Sequence, residues 1–436
     1  MNAAPPLANR TALILLFAAN TISGAAQGIS MIAIPWYFID RLQEPIVFSR
    51  FYSIFTFISI LWVIYAGSLI DRFSRKNIFL ALTAVCGLVV LSTALYGFRT
   101  GALGVFPALL VMGVTLLNFN LHYPSLYAFA QEMTSKANYT RIVSYLEIQG
   151  QTTNVLSGAF AALLLTGVEA GVPIHLMGIK TSLNFSIPAW ELHEIFLLDG
   201  ITYALAFVLI LCIRYKRQLL YQPDTGNALQ RIRKGYAYLL ERPQLLLFGI
   251  MSYGVFVTVL VQDRILLPEY VRVQLQATAD VFASSDMLFA MGALVSGVVT
   301  RLLFARMSPI AAVSLIMTAL SVLYLYMGVN TSTRYLFVFS FIYGYVNTGV
   351  RILRVTYLFH TVSNDMIGRL LSFFKVADTA MRASFIALFS LSFFHTGNNI
   401  RYAYVVFGIF ILICGLLIIP TIGKLTENYR SHVHER

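Results

Sequence analysis

Charged side chains are scarce in this chain: Asp, Glu, Lys and Arg make up 11% of its 436 residues, where a soluble domain devotes about 25% to them. Because 58% of the residues are hydrophobic, there is too little polar surface to cover a fold in water, and the surrounding solvent is largely lipid. Cysteine is equally sparse. Cys86, Cys212 and Cys414 are odd in number and each lies inside an apolar run, which argues against a disulfide framework and against a metal site. The chain has no His-Glu-x-x-His, no Gly-x-Ser-x-Gly and no phosphate-binding loop, and its seven His residues are scattered. It therefore reads as neither a hydrolytic enzyme nor a nucleotide-driven pump, and it calls for no cofactor. The short alternation of apolar and polar residues typical of barrel strands is also missing, because the apolar runs are continuous.

What is present is length of the right kind. A bilayer core about 30 Å thick takes roughly 20 apolar residues per helical crossing, and 436 residues leave about 36 for each of twelve. Apolar runs predict spans near 12–38, 48–70, 78–98, 102–129, 141–166, 194–213, 244–267, 280–303, 309–328, 333–357, 369–394 and 400–421. The expected class is thus an all-α polytopic membrane protein. A net charge of +12 would raise nucleic-acid binding in a soluble protein. Here the Lys and Arg fall in alternate loops, as the positive-inside rule expects, with both termini on the cytoplasmic side. Residues Met1 to Arg10 carry no cleavable signal pattern, so the first span is expected to act as its own insertion signal.

The only long polar stretch, 214–243, divides the chain into an expected N-terminal six-helix bundle (1–213) and a C-terminal one with a short tail (244–436). Within it, Leu229 to Leu240 reads as an amphipathic helix on the membrane surface, after a turn marked by Pro223 and Gly226. An external loop is expected from about Gly167 to Leu192, with Trp190 as an interfacial anchor. The halves also resemble each other. TRIVSYLEIQGQTTN (140–154) aligns without gaps on GRLLSFFKVADTAMR (368–382), matching Arg141 with Arg369 and Ser144 with Ser372. Six-span repeats are how many secondary transporters are built, so the architecture itself argues for transport.

Ionisable groups inside a bilayer are costly and suggest function unless they lie near a helix end. Three sets fall at helical spacing: Glu147, Gln151 and Asn154; Asn347, Arg351 and Arg354; and Lys375, Asp378 and Arg382. Burial of Glu147 would allow reversible protonation near neutral pH, which makes it a candidate for proton coupling; the alternative is a structural partner for a neighbouring Arg or Lys. The surplus of Arg351, Arg354, Lys375 and Arg382 over Asp378 favours an anionic or zwitterionic substrate if these residues face a cavity. Otherwise the long side chains snorkel to the interface or pair among themselves. In span one, Asn20 and Gln27 share a face. Asp263 and Arg264, near the outer end of span seven, suggest a gate or an interface.

At the end of span two the chain reads GSLIDRFSRK, with Gly67, Asp71, Arg72, Arg75 and Lys76 in their expected places. This resembles the signature G-x-L-x-D-R-x-G-R-K of the Major Facilitator Superfamily, departing at Ser74, where the family usually has Gly. The resemblance implies twelve helices in two pseudo-symmetric bundles, alternating access, and a loop that latches the cytoplasmic side. The second half carries a worn copy, with Gly297, Arg301 and Arg306 and no acid. Segments 266–304 and 362–373 are further similar to the branch of macrolide exporters, the enterobactin exporter and lysophospholipid transporters. That similarity implies an exporter of a small amphiphilic or anionic molecule, a monomer in a bacterial inner membrane among its lipids, with H+ as coupling ion. A lipid transporter and a non-transporting sensor are the alternatives. Spans one, four, seven and ten line the cavity in the family, so Asn20, Gln27, Asn118, His122, Tyr253 and Asn347 are candidate lining groups, with Gln151 and Asn154 beside them; hydrogen bonding between helices is the alternative for each of the six. Two features of the family's drug antiporters are missing: an Arg in span four, and the Gly-Pro pair of span five, where only Gly158 remains.

Overall fold

The computed structural model describes residues 9–134, 139–176, 179–182, 184–214, 228–362 and 364–434. Long apolar stretches between polar caps make its helices. The first half contains α1 (Arg10–Asp40), α2 (Pro45–Arg72), α3 (Arg75–Thr100), α4 (Val105–Glu132), α5 (Tyr139–Thr166) and α6 (Leu192–Leu211). Asn9 caps α1 by accepting from the Ala12 amide, and its own amide donates to the Arg214 carbonyl, which ties the start of α1 to the chain just after α6. Gly101 ends α3 with φ +79°, a left-handed conformation that glycine adopts without strain. The loop between α5 and α6 folds into a two-stranded antiparallel hairpin, β1 (Pro173–Leu176) on β2 (Ile179–Ser182), closed at its base by a bridge between Val168 and Ile187. A capping box between Glu191 and Glu194 then starts α6.

The second half opens with the amphipathic helix α7 (Ala228–Leu240). The expected turn at Pro223 and Gly226 lies outside the described residues. α7 packs on α14 (Asn364–Phe389): Tyr236 stacks on Phe373 with ring centroids 5.3 Å apart, and a Cβ on Gly235 would come within 2.5 Å of the Arg369 carbonyl oxygen. Span seven is not one regular helix. It runs as α8 (Pro243–Ser252), α9 (Gly254–Val261), a π turn at Gln262–Leu266, α10 (Leu267–Glu269) and a second π turn at Tyr270–Gln274. The remaining helices are α11 (Ala279–Leu303), α12 (Pro309–Met327), α13 (Thr333–Thr361), α14 (Asn364–Phe389), α15 (Ile400–Ile418) and the terminal α16 (Ile422–His434).

The twelve expected spans are thus all helical. Among the described residues nine helical stretches are long and apolar enough to cross a membrane by length and composition. The chain separates into two compact units, residues 1–44 with 54–224, and residues 45–53 with 225–436. Helix pairing repeats between them. In the first, α3 packs on α6 and on α4, and α1 packs on α5; in the second, α12 packs on α15 and on α13, and α9 packs on α14. These are the pairs 3–6, 3–4 and 1–5 followed by 9–12, 9–10 and 7–11, the relation that the 140–154 and 368–382 match implies.

Candidate functional site

In the signature loop, the side chains of Gly67, Asp71 and Arg72 lie outside the described residues, while their backbone completes α2. Ser74, the departure from the family pattern, serves the local fold, since its hydroxyl caps α3 by accepting from the Asn77 amide. Arg75 pairs with Glu132 at the end of α4, 3.6 Å away. Lys76 donates to the Leu211 and Ile213 carbonyls, each at 2.8 Å, and so caps the end of α6. These two basic residues are therefore anchored within their own half.

Inside the first half, Asn20 of α1 and His122 of α4 lie 2.8 Å apart, so the half-buried His122 joins two spans. The polar face of α5 is not the expected one. Gln149, Thr153 and Ser157 turn toward α1: Gln149 donates to the Phe17 carbonyl at 2.7 Å and Ser157 to the Ala25 carbonyl at 3.0 Å. The stripe of Glu147, Gln151 and Asn154 looks elsewhere, with Glu147 and Asn154 exposed and Gln151 half-buried. The burial expected of Glu147 is absent; its carboxylate accepts from the Tyr127 hydroxyl at 2.6 Å. The reason is geometric. Two polar stripes wind along α5, and the smaller residues of the 149–153–157 stripe allow close approach to α1, where Gly24 meets Thr153 and Gly28 meets Ser157. Gln27 and Asn118 are buried, with Gln27 Nε2 and Asn118 Oδ1 lacking partners among the described residues.

In the second half, the expected set on α13 divides by depth: Arg351 is exposed, Asn347 half-buried, and Arg354 only 4% exposed. Arg354 does not snorkel. Its guanidinium lies over the Tyr253 ring, 3.5 Å from the centroid, and donates to the Ser252 carbonyl at 2.9 Å, at the break between α8 and α9. On α14, Asp378 is fully buried and accepts from Lys375 at 3.3 Å, and Lys375 also lies 5.3 Å from the Phe256 ring. Arg382 is buried and its Nη2 sits 3.5 Å from the Thr379 hydroxyl. Among the described residues, the Nε atoms of Arg354 and Arg382 and one oxygen of Asp378 lack partners. Asp263 and Arg264 fall in the first π turn and interact electrostatically with Asp286 of α11. π turns recur at functional sites because they re-aim side chains within a span.

Several acids escaped the sequence reading, among them the buried Glu269 and Asp199 and the half-buried Asp286. Glu269 lies 2.6 Å from His395 Nδ1, with both side chains nearly fully buried. Asp286 faces Asp263. Asp199 of α6 is 1% exposed and accepts from Ser30 at 2.8 Å. An acid in the middle of an apolar run, as in FLLDGITYAL, is the signal that could have found it. Among the described residues, no group of three His, Cys, Asp or Glu is placed to hold a metal ion.

The family model of the Major Facilitator Superfamily matches residues 16–384. Solved structures of similar fold include a mutant of the nucleoside transporter NupG, with TM-score 0.71 and 10% identity over 94% of this chain and 99% of that one. A bacterial homologue of the iron transporter ferroportin, inward-facing, gives TM-score 0.67 and 15% identity over 94% of this chain and 98% of that one. The D-xylose-proton symporter gives 0.65 and 11% over 95% and 96%. No curated protein sequence matches significantly.

Proposed function

Since the chain belongs to the Major Facilitator Superfamily, we propose that this integral membrane protein is a secondary active transporter, working by alternating access as an ion-coupled exporter of an anionic or amphiphilic small molecule. One observation carries the choice of substrate. Arg354 and Arg382 sit inside the second half with the guanidinium Nε of each unpartnered among the described residues, while Asp378, the acid on the same stretch of α14, is already engaged by Lys375. Buried positive charge without a full complement of acids favours a ligand that brings negative charge. A guanidinium packed over the Tyr253 ring, 3.5 Å from its centroid, keeps a fixed charge and donors suited to carboxylate or phosphate. Interruption of span seven at Tyr253 supports placing the ligand near Arg354, since transporters of several folds build their sites at broken helices.

The signature loop supports a cycling protein. Arg75 and Lys76 hold the ends of α4 and α6, which leaves Gly67, Asp71 and Arg72 as the members of the loop proposed to act as the latch. The coupling ion is a proton, the localisation a bacterial inner membrane with both termini cytoplasmic, and the working unit a monomer. The test is substrate flux in proteoliposomes under an imposed pH gradient, using siderophore, macrolide, lysophospholipid and cationic dye probes, with Asp71→Asn as comparison. Gradient-driven flux of an anionic probe, lost in Asp71→Asn, is the expected result. Flux of the cationic dye alone would overturn the substrate reading. A lysophospholipid as sole substrate would make the protein a lipid transporter, and no flux of any probe would favour a sensor built on the transporter fold.

A further inference from the structure

Asp199 stands apart from the other buried acids. Glu132, Glu269 and Asp378 sit beside Arg75, His395 and Lys375. Among the described residues no cation is within ion-pair distance of Asp199. Its carboxyl lies about 10 Å along α6 from the helix start, is 1% exposed, and accepts one hydrogen bond, from Ser30 of α1 to Oδ2. Oδ1 has no partner. One turn further along α6 the buried Tyr203 hydroxyl is engaged by Cys86 of α3 and Asn118 of α4. Asn118 Oδ1, like Asp199 Oδ1, has no partner among the described residues. All five side chains are buried.

Nor can the cluster relax. A Cβ on Gly87 would come within 2.9 Å of Tyr203, and one on Gly200 within 2.4 Å of Leu91. The closeness of α3 and α6 on both sides of the cluster leaves Asp199 no route to water by a change of rotamer. A lone carboxylate in such surroundings is costly, and a single serine hydroxyl offsets only part of that cost. The other charges of the packed helices do not help, because Arg10 and Asp40 on α1, and Arg75, Lys76 and Arg99 on α3, lie in the end turns. His122, one turn along α4 from Asn118, is engaged with Asn20. The titratable neighbours that remain are Cys86 and Tyr203.

We infer that Asp199, with Asn118 and Tyr203, forms a binding site for one monovalent cation, a proton or a sodium ion, in the core of the first half. The site requires no movement of substrate and stands on its own geometry. Its use as the coupling site rests on the ion-coupled reading above.

Binding is tested without transport. Infrared difference spectra of the purified full-length protein, stepped through pH in choline chloride, report protonation through the carboxylic C=O stretch, and thermal unfolding in sodium against choline chloride reports sodium. A titrating carboxylic band absent from Asp199→Asn identifies the proton. No such band, with sodium-specific stabilisation absent from Asp199→Asn, identifies sodium. Spectra and sodium response identical in wild type and Asp199→Asn overturn the site. Should Asp199→Asn fail to fold, Ser30→Ala and Tyr203→Phe retain the carboxyl and should change apparent cation affinity about fivefold, the equivalent of one hydrogen bond; unchanged midpoints in both would overturn the site equally. Because no substrate gradient is applied, these outcomes are independent of the flux experiment.

Discussion

Helices α11 and α13 meet through two glycines, and replacing one by alanine tests that contact in numbers. A Cβ on Gly344 would sit 1.9 Å from the Phe289 carbonyl oxygen, and one on Gly292 would sit 1.9 Å from the Phe341 carbonyl oxygen. Real Cβ atoms essentially never approach closer than 3.0 Å, and both obstacles are backbone, so Gly344→Ala must push the helices roughly 1 Å apart. A gap of that size forfeits about a quarter to a half of each dispersion contact. If on the order of 40 atom pairs at about 0.1–0.2 kcal/mol each are affected, the loss is about 1–4 kcal/mol, against which alanine returns up to about 1 kcal/mol of helix propensity. The expected net destabilisation is about 2 kcal/mol, or about 4–8 °C in the unfolding midpoint of a unit this size. The assay is thermal unfolding in detergent, followed by the reactivity of Cys86 and Cys414, which are buried, in a background where the exposed Cys212 is replaced by Ser. Gly297→Ala on the partner helix α11 is the control, since nothing lies within 4 Å of its Cβ position; it should be neutral or slightly stabilising. A midpoint for Gly344→Ala within about 1 °C of wild type, or an equal loss in Gly297→Ala, would refute the reasoning.

Other expectations concern the polar groups. Arg354→Gln and Arg382→Gln should each lower transport of an anionic probe by about tenfold, the scale of one charge-assisted hydrogen bond, with less effect on a neutral probe; equal effects on both would remove the electrostatic argument. Arg354→Lys should recover little, because a lysine keeps the charge but loses the stacking on Tyr253. Lys76→Ala should cost about 1 kcal/mol of stability through the freed α6 carbonyls, measured by the same unfolding assay, and no change in the midpoint would mean that the cap contributes nothing. Glu147→Gln should retain pH-driven flux, since its carboxylate is exposed, whereas Asp199→Asn should lose it; the reverse pattern would move the coupling role to Glu147.

The spans were legible in the sequence because a long apolar run has one reading. The match of 140–154 with 368–382 anticipated the repeated pairing of α1 with α5 and of α9 with α14. The α5 face was misread for a reason periodicity cannot resolve. Gln149, Thr153 and Ser157 repeat every four residues, just as Glu147 and Gln151 do, and which stripe packs depends on Gly24 and Gly28 of a distant helix. The break at Tyr253 left no mark, since the residues around it are apolar and only Gly254 follows it. Asp199 was visible as an acid in an apolar run, but its isolation from any cation is a property of three neighbouring helices. Arg354 is the converse case. Its place near the end of span ten suggested snorkelling, yet the Ser252 carbonyl and the Tyr253 ring hold it inside.

Taken one at a time, the halves have opposite charge deficits. The first contains, among the described residues, an acid with no cation at Asp199, while the second contains buried arginines that outnumber the acid available to them. On the readings above, a cation neutralises the first and an anionic substrate the second. Exchange of an outgoing monoanion for an incoming proton then moves two charges in the direction favoured by an inside-negative potential. Each charge is worth about 2.3 kcal/mol per 100 mV, so the exchange gains about 4.6 kcal/mol, enough for a gradient of about three orders of magnitude. Export should therefore run on a potassium diffusion potential set with valinomycin even when pH is equal on both sides. Flux indifferent to that potential would mean that cation and anion cross in the same direction with their charges cancelling, and exchange would have to give way to co-transport.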